Sequence, residues 1–237
     1  MFIRKLSYLS LLFCIFIIGC GNKADSFNKK GLSFFEQKKY DEAIDAFKKA
    51  LEINTNHYDA HYGLGVAYYT KGMIDESLTE LKRAIELNPE EPKARYNIAF
   101  AYMAKQMAME AIQEYKTAID LFSSKKDITK EAEAHLYLSV AYSLMENHDE
   151  ALLACKKAIE LNPELEDGYY FLGVCYYKKN MYDEAIAALK KTIMLNPKAE
   201  KAHSVLHVIY DKLGMVEEAT RERFILQQFT QERRNRD

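Results

Sequence analysis

The heptapeptide AIELNPE occurs twice in this chain, at Ala84–Glu90 and at Ala158–Glu164. The copies begin 74 residues apart, and weaker echoes show how that distance divides. ALEINTN at Ala50–Asn56 precedes the first copy by 34 residues, and TIMLNPK at Thr192–Lys198 follows the second by 34. AIDLFSS begins at Ala118, which lies 34 residues after Ala84 and 40 before Ala158. Two periods of 34 and one six-residue insertion therefore separate the copies. A fixed period of about 20–50 residues is the signature of a solenoid or array.

The rest of each period keeps the same register. Repeats can be counted from Ala24, Tyr58, Pro92, Ala132, Glu166 and Glu200. Position 8 then reads Gly31, Gly65, Ala99, Ser139, Gly173, His207, and position 11 reads Phe34, Tyr68, Tyr102, Tyr142, Tyr176, Tyr210. Position 20 is Ala in five repeats and Ser77 in the other, and Pro89, Pro163 and Pro197 stand at position 32. This pattern resembles the tetratricopeptide repeat, whose unit carries an aromatic residue, then Leu-Gly, Tyr, Ala, Phe and Pro at these spacings. The resemblance covers about 24–233. It implies an all-α, right-handed superhelical solenoid of about six helix-turn-helix repeats: 24–57, 58–91, 92–125, 132–165, 166–199 and 200–233. The insertion is expected at 126–131, and 234–237 is a tail. Position 4 departs from the family pattern: His61, Arg95, His135, Tyr169 and His203 stand where Trp is usual. His207 and Arg223 make the sixth repeat a divergent end cap.

Positions 4, 7, 8 and 11 share one face of a helix. A break is expected near positions 15–17, where Gly72 and Gly214 occur. Asp then recurs at position 18 (Asp41, Asp75, Asp149, Asp183) and Glu at position 19. The Asp side chains are expected to cap a second helix, and the Glu carboxylates to favour its positive end. That helix runs to Leu-Asn-Pro, where Asn is expected in a left-handed turn and Pro bars continuation. Helices of about 13 residues are marginal alone in water, so each must bury its apolar face on a neighbour, in one cooperative stack.

The chain opens MFIRKLSYLSLLFCIFIIGC. Arg4 and Lys5 precede an apolar run, Leu6–Ile18, that is too short to span a bilayer and suits a secretory signal. Ile17-Ile18-Gly19-Cys20 resembles the lipobox of bacterial lipoproteins, which implies a signal peptide at 1–19 and a lipidated Cys20. The tether at 20–25 would extend at most roughly 15 Å, and two or more acyl chains hold stably to a membrane. The expected location is outside the cytoplasm, anchored in a bacterial membrane. Gly21 is not acidic, which favours the outer membrane, on its periplasmic or surface face.

Removing Arg4 and Lys5 leaves 31 basic against 35 acidic residues, a net charge of −4. A mild acidic balance argues against nucleic-acid binding, which needs a basic face. Beyond Cys20, Cys155 and Cys175 occupy core positions and leave two alternatives, buried thiols or one disulfide. His203 and His207 share a helical face but lack a third ligand and a catalytic Glu, so packing is the expected role. Gly63 and Gly65 form no dinucleotide loop, because Tyr68 replaces the third Gly and no strand precedes them. No catalytic constellation, metal site or cofactor motif is legible.

The first helix of each repeat carries a second stripe, at positions 2, 5, 9 and 12. Its apolar members are Tyr62, Val66, Tyr69, Tyr96, Phe100, Met103, Leu136, Val140, Tyr170, Val174 and Tyr177. In the family this face lines the concave groove. Family members that bind chaperone C-termini grip a carboxylate with Lys and Asn at positions 5 and 9. Position 9 here is Val66, Phe100, Val140 and Val174, so that clamp is missing. The expectation is a non-enzymatic, membrane-anchored scaffold holding an apolar peptide or helix of a protein partner. A secretion, pilus or outer-membrane assembly component would suit. The alternative is a carrier of a lipid or hydrophobic small molecule in the same groove.

Overall fold

The computed structural model describes residues 23–234, so Cys20, the expected signal peptide and the last three residues lie outside the described residues. Every regular element among the described residues is a helix. Helix α1 covers 23–36 and already includes the end of the expected tether. It is followed by α2 (Tyr40–Ile53), α3 (Tyr58–Thr70), α4 (Ile74–Leu87), α5 (Pro92–Ala104) and α6 (Ala108–Ser124). Then come α7 (Ile128–Leu144), α8 (His148–Leu161), α9 (Glu166–Lys178), α10 (Tyr182–Leu195), α11 (Glu200–Lys212) and α12 (Val216–Arg234). The chain divides into two compact bodies, one ending at Glu114 and the other starting at Tyr115. In the first body α2 to α5 each pack on the next in sequence, and in the second α7 to α12 do so; successive first helices also touch: α3 with α5, and α9 with both α7 and α11.

One turn design joins the two helices of every repeat. Position 15 is left-handed in all six: Lys38, Gly72, Gln106, Glu146, Asn180 and Gly214 have φ of 59–77°. The next N–H donates to the carbonyl of position 11, as from Met73 to Tyr68 (2.9 Å), Met107 to Tyr102 (2.9 Å) and Met181 to Tyr176 (2.9 Å). In the second repeat the N–H of Gly72 also reaches the carbonyl of Tyr69, which completes a Schellman closure. The sequence marked this turn by glycine in two repeats. In the other four a residue with a side chain holds the same conformation, which costs roughly 1–2 kcal/mol.

Two capping expectations are corrected. The second helices start one residue before the recurring Asp, so Lys39, Met73, Asn147 and Met181 are the N-caps, and none makes a side-chain capping bond. The Asp carboxylates instead reach forward to a Lys of the following repeat. Asp41 pairs with Lys71, Asp149 with Lys179, and Asp75 with Lys105 at 2.5 Å. These pairs are exposed and set register more than stability. The Asn of Leu-Asn-Pro is extended, not left-handed: Asn88, Asn162 and Asn196 have φ of −144°, −136° and −136°. A following Pro disfavours the helical region. The Asn162 and Asn196 side chains also accept from the backbone N–H two residues on, at 3.1 and 2.9 Å.

The six extra residues form no separate loop. Helices α6 and α7 are 17 residues each, against 13 or 14 elsewhere in the array before α12. Lys126 turns left-handed (φ 58°), and the N–H of Asp127 donates to the Phe122 carbonyl at 3.0 Å. The Asp127 carboxylate then caps α7 by accepting from the N–H of Lys130 (3.1 Å).

The core explains the small residue at position 8. A Cβ placed on Gly65 would lie 2.7 Å from Leu81 Cγ, and one on Gly173 the same distance from Leu189 Cγ. Leu81 and Leu189 are fully buried, so the two helices of a repeat meet at backbone distance here. The ring of position 11 then seals the joint, with a Lys of the preceding repeat over it. Lys82 lies 5.9 Å from the centroid of Tyr102, and Lys156 lies 5.8 Å from that of Tyr176. Cys155 and Cys175 are free thiols, both buried, and the alternative of a bridge is not realised.

Gly72→Ala should lower unfolding free energy by about 1 kcal/mol in urea titrations, because Ala pays for the left-handed φ. A Cβ there meets nothing within 4 Å, so the loss would be backbone strain alone. An unchanged midpoint would contradict the turn assignment.

Candidate binding face

The face at positions 2, 5, 9 and 12 occurs in both bodies. In the first, α3 and α5 lie side by side. Asn97 Nδ2 donates to the Tyr62 hydroxyl at 3.2 Å and to the Lys93 carbonyl at 2.9 Å, tying the two helices together. Phe100 packs edge-on to Tyr96, with centroids 5.0 Å apart at 87°, and lies 6.3 Å from Tyr69. Tyr62 stacks on Tyr58 at 6.2 Å. Val66 and Met103 are half-buried, while Asp59 and Lys93 at position 2 are exposed on the rim.

In the second body, α9 supplies half-buried Tyr170, Val174 and Tyr177, and α7 supplies Val140. Tyr170 meets Phe171 edge-on at 5.1 Å, and Lys212 of α11 lies 5.9 Å from the centroid of Tyr177. Leu136 is different. It is only 3% exposed, so it belongs to the core and is withdrawn from the binding face. Beside Tyr170 a cleft of about 520 Å³ opens between α9 and α11, bordered by Glu166, Asp167, Glu200 and Arg233. Arg233 of α12 reaches Glu200 at 2.8 Å.

The rings are not left wholly uncovered. Tyr62, Val66 and Tyr69 pack on the cluster of Leu78, Leu81, Ile98 and Ala101. Tyr170 and Tyr177 pack on the cluster that contains Leu189 and Leu206. The sequence pattern showed a second apolar face but not that its rings would slot between successive first helices. Burial raises the pKa of Tyr62, with the Asn97 bond opposing. Burial and then Asp167 raise that of Tyr170. Both shifts keep these two phenols protonated, so each offers a ring edge and a hydroxyl.

Histidine at position 4 does more than fill an aromatic slot. His61 Nδ1 lies 2.6 Å from Glu80 and His203 Nδ1 lies 2.5 Å from Glu222, while Arg95 binds Glu114 at 2.9 Å. The partner always stands 19 residues on, at position 23. That recurrence was present in the sequence as a signal and was missed, because position 23 belongs to no part of the family pattern. His207 turns away from His203 and binds the Ala219 carbonyl at 3.0 Å, so the two rings form no metal pair. Among the described residues no three His, Cys, Asp or Glu side chains gather as metal ligands. No described helix is long and apolar enough to cross a membrane.

Family models and solved structures agree on the repeat. A model described as TPR repeat matches residues 31–72 and 67–106, and one described as Tetratricopeptide repeat matches 142–209. No curated protein matches in sequence. The fold resembles PilF of Pseudomonas aeruginosa, at 17% identity and a TM-score of 0.76, covering 89% of this chain and 93% of that one. It is also similar to MamA, at 27% identity and a TM-score of 0.64, over 72% of this chain and 96% of that one. YrrB, a TPR protein with an unusual peptide-binding site, aligns at 22% identity and a TM-score of 0.63, over 76% of this chain and 89% of that one. The period of 34, the paired helices and the shared turn all have one explanation: the chain belongs to the tetratricopeptide repeat family.

Proposed function

We propose that this protein is a non-enzymatic interaction scaffold, anchored to a bacterial envelope membrane through acylated Cys20. It would hold a peptide or helix of a protein partner against the aromatic face of its first helices. The observation that carries this reading is the half-exposed cluster Tyr62, Tyr69, Tyr96 and Phe100 on α3 and α5. Tyr is enriched where partners bind most tightly, because one ring offers a wide apolar area and a hydroxyl. Val66 and Phe100 stand where a carboxylate clamp would need Asn, which favours an apolar segment over a charged chain end. The peptide-binding site of YrrB shows that a similar array can take a peptide, and PilF shows a similar fold over nearly the whole length. The short tether favours a partner in or near the membrane, such as a secretion, pilus or outer-membrane assembly component. A lipid carrier is the weaker reading, since the cleft beside Tyr170 is rimmed by the charged side chains of Glu166, Asp167, Glu200, Lys201 and Arg233.

Affinity capture from detergent-solubilised envelope should return one stoichiometric protein. Tyr96→Ala with Phe100→Ala should weaken that capture by at least roughly thirtyfold, as the loss of a 2 kcal/mol hot spot would. The double variant must keep a wild-type circular dichroism spectrum. Capture at wild-type strength would remove the aromatic face from the account, and a bound lipid with no protein would favour the carrier. Separately, Cys20→Ser should move the protein from the membrane to the soluble fraction. If the variant stays in the membrane fraction, the anchor is wrong.

A further inference from the structure

The second repeat contains an imidazole with an acceptor on each nitrogen. His61 Nδ1 lies 2.6 Å from Glu80 Oε2, and Nε2 lies 3.0 Å from the Thr55 carbonyl. A carboxylate and a carbonyl can only accept. Neutral imidazole has one N–H and could satisfy one of them. Both contacts are made together only by imidazolium. The site is sheltered, with the His61 side chain 12% exposed and that of Glu80 22%. The contacts also join three parts of the array: α3, α4 and the Asn54–His57 turn that links the first repeat to the second.

The third repeat shows what this slot requires. There Arg95, which is always charged, occupies position 4 and binds Glu114 at 2.9 Å. In the sixth, His203 again sits between a Glu (Glu222, 2.5 Å) and a linker carbonyl (Pro197, 3.4 Å). Where position 23 is Ala, no such pair exists: His135 faces Ala154. In all three repeats that carry this Glu, a basic residue at position 4 is paired with it.

We propose that His61 is a proton-operated fastener between the first and second repeats, closed as imidazolium and loosened when it loses its proton. The charged groups facing it are Glu80 and Arg83, both of α4, and the linker contributes the Thr55 carbonyl. Arg83 opposes protonation, but its guanidinium is engaged by Glu86 at 2.8 Å and by Asn56 at 2.7 Å. Burial by itself would depress the His61 pKa. The bonds to Glu80 and Thr55 and the charge of Glu80 outweigh it, and the net direction is upward. A group with a raised folded pKa stabilises fully below its unfolded value, about 6.5, and loses that contribution as pH rises through the folded value. The fastener is therefore closed in mild acid and opens toward alkaline pH. His135 works against it, since burial and then Lys157 lower its pKa and acid destabilises its neutral ring.

The test compares wild type with His61→Arg and His61→Gln across pH 5.5–8.5, so the His135 effect cancels. The wild-type melting temperature should fall, relative to His61→Arg, as pH rises from 6 to 8, because only the imidazolium loses its charge over that range. His61→Arg should keep the stability at high pH that wild type loses, because guanidinium holds its charge across this range. His61→Gln should lose it at every pH. On the wild-type protein, an NMR titration should place the His61 midpoint above 6.5 with protons on both nitrogens in mild acid. A midpoint at or below 6.5, or identical pH profiles for wild type and His61→Arg, would overturn the proposal. The NMR measurement decides even if a variant fails to fold.

Discussion

A helix of 13 or 14 residues gains too little from its own hydrogen bonds to persist in water. Everything else in this structure follows from how each such helix is buried on the next. The contact is made where the chain comes closest, at position 8 against position 24. Gly65 and Gly173 have no side chain there, so Leu81 and Leu189 rest on the backbone of the facing helix. The position 11 ring closes the same joint. Its carbonyl ends the first helix and its face carries a Lys from the preceding repeat. One residue thus serves helix termination, packing and repeat-to-repeat register at once. Substituting it would disturb three contacts at once, and it is aromatic in all six repeats.

This economy leaves the first helices with an extra apolar side. Their inner side is spent on the joint, yet the opposite side still carries Tyr, Phe, Val and Met. In the first body those rings interleave between α3 and α5, fixed by the Asn97 bond to Tyr62. Half-burial is itself informative for binding. Rings already held by their neighbours lose little conformational freedom when a partner covers them, so more of the buried area contributes to affinity. A fully exposed, mobile stripe would be a poorer surface.

Much of this was legible beforehand, for identifiable reasons. The period of 34 and its resemblance to the tetratricopeptide repeat implied paired helices, and the apolar spacing of three and four agreed with them. The stripe of groove residues could be listed from the same spacing. Leu136 was misplaced because spacing gives the face of a helix but not the depth at which a residue on it lies. The recurring Asp was misread as a cap, since capping depends on which residue starts the helix, and Lys39 or Met73 offers no hint of that. The left-handed turn was marked only by Gly72 and Gly214, because tertiary closure forces Lys38, Gln106, Glu146 and Asn180 into the same conformation against local preference. The His61–Glu80 and Arg95–Glu114 pairs share a spacing of 19 that no helical period announces. It appears only once two helices are laid side by side.

The claim that the aromatic face is where a partner sits is tested most directly by site-specific photo-crosslinking in intact cells. A benzophenone amino acid would replace Phe100 on α5 or, as control, Met194 on α10, which is 74% exposed. The account predicts one discrete protein adduct from position 100 and none from position 194. Adducts of equal yield from both positions, or none from position 100 while the protein is present, would contradict it.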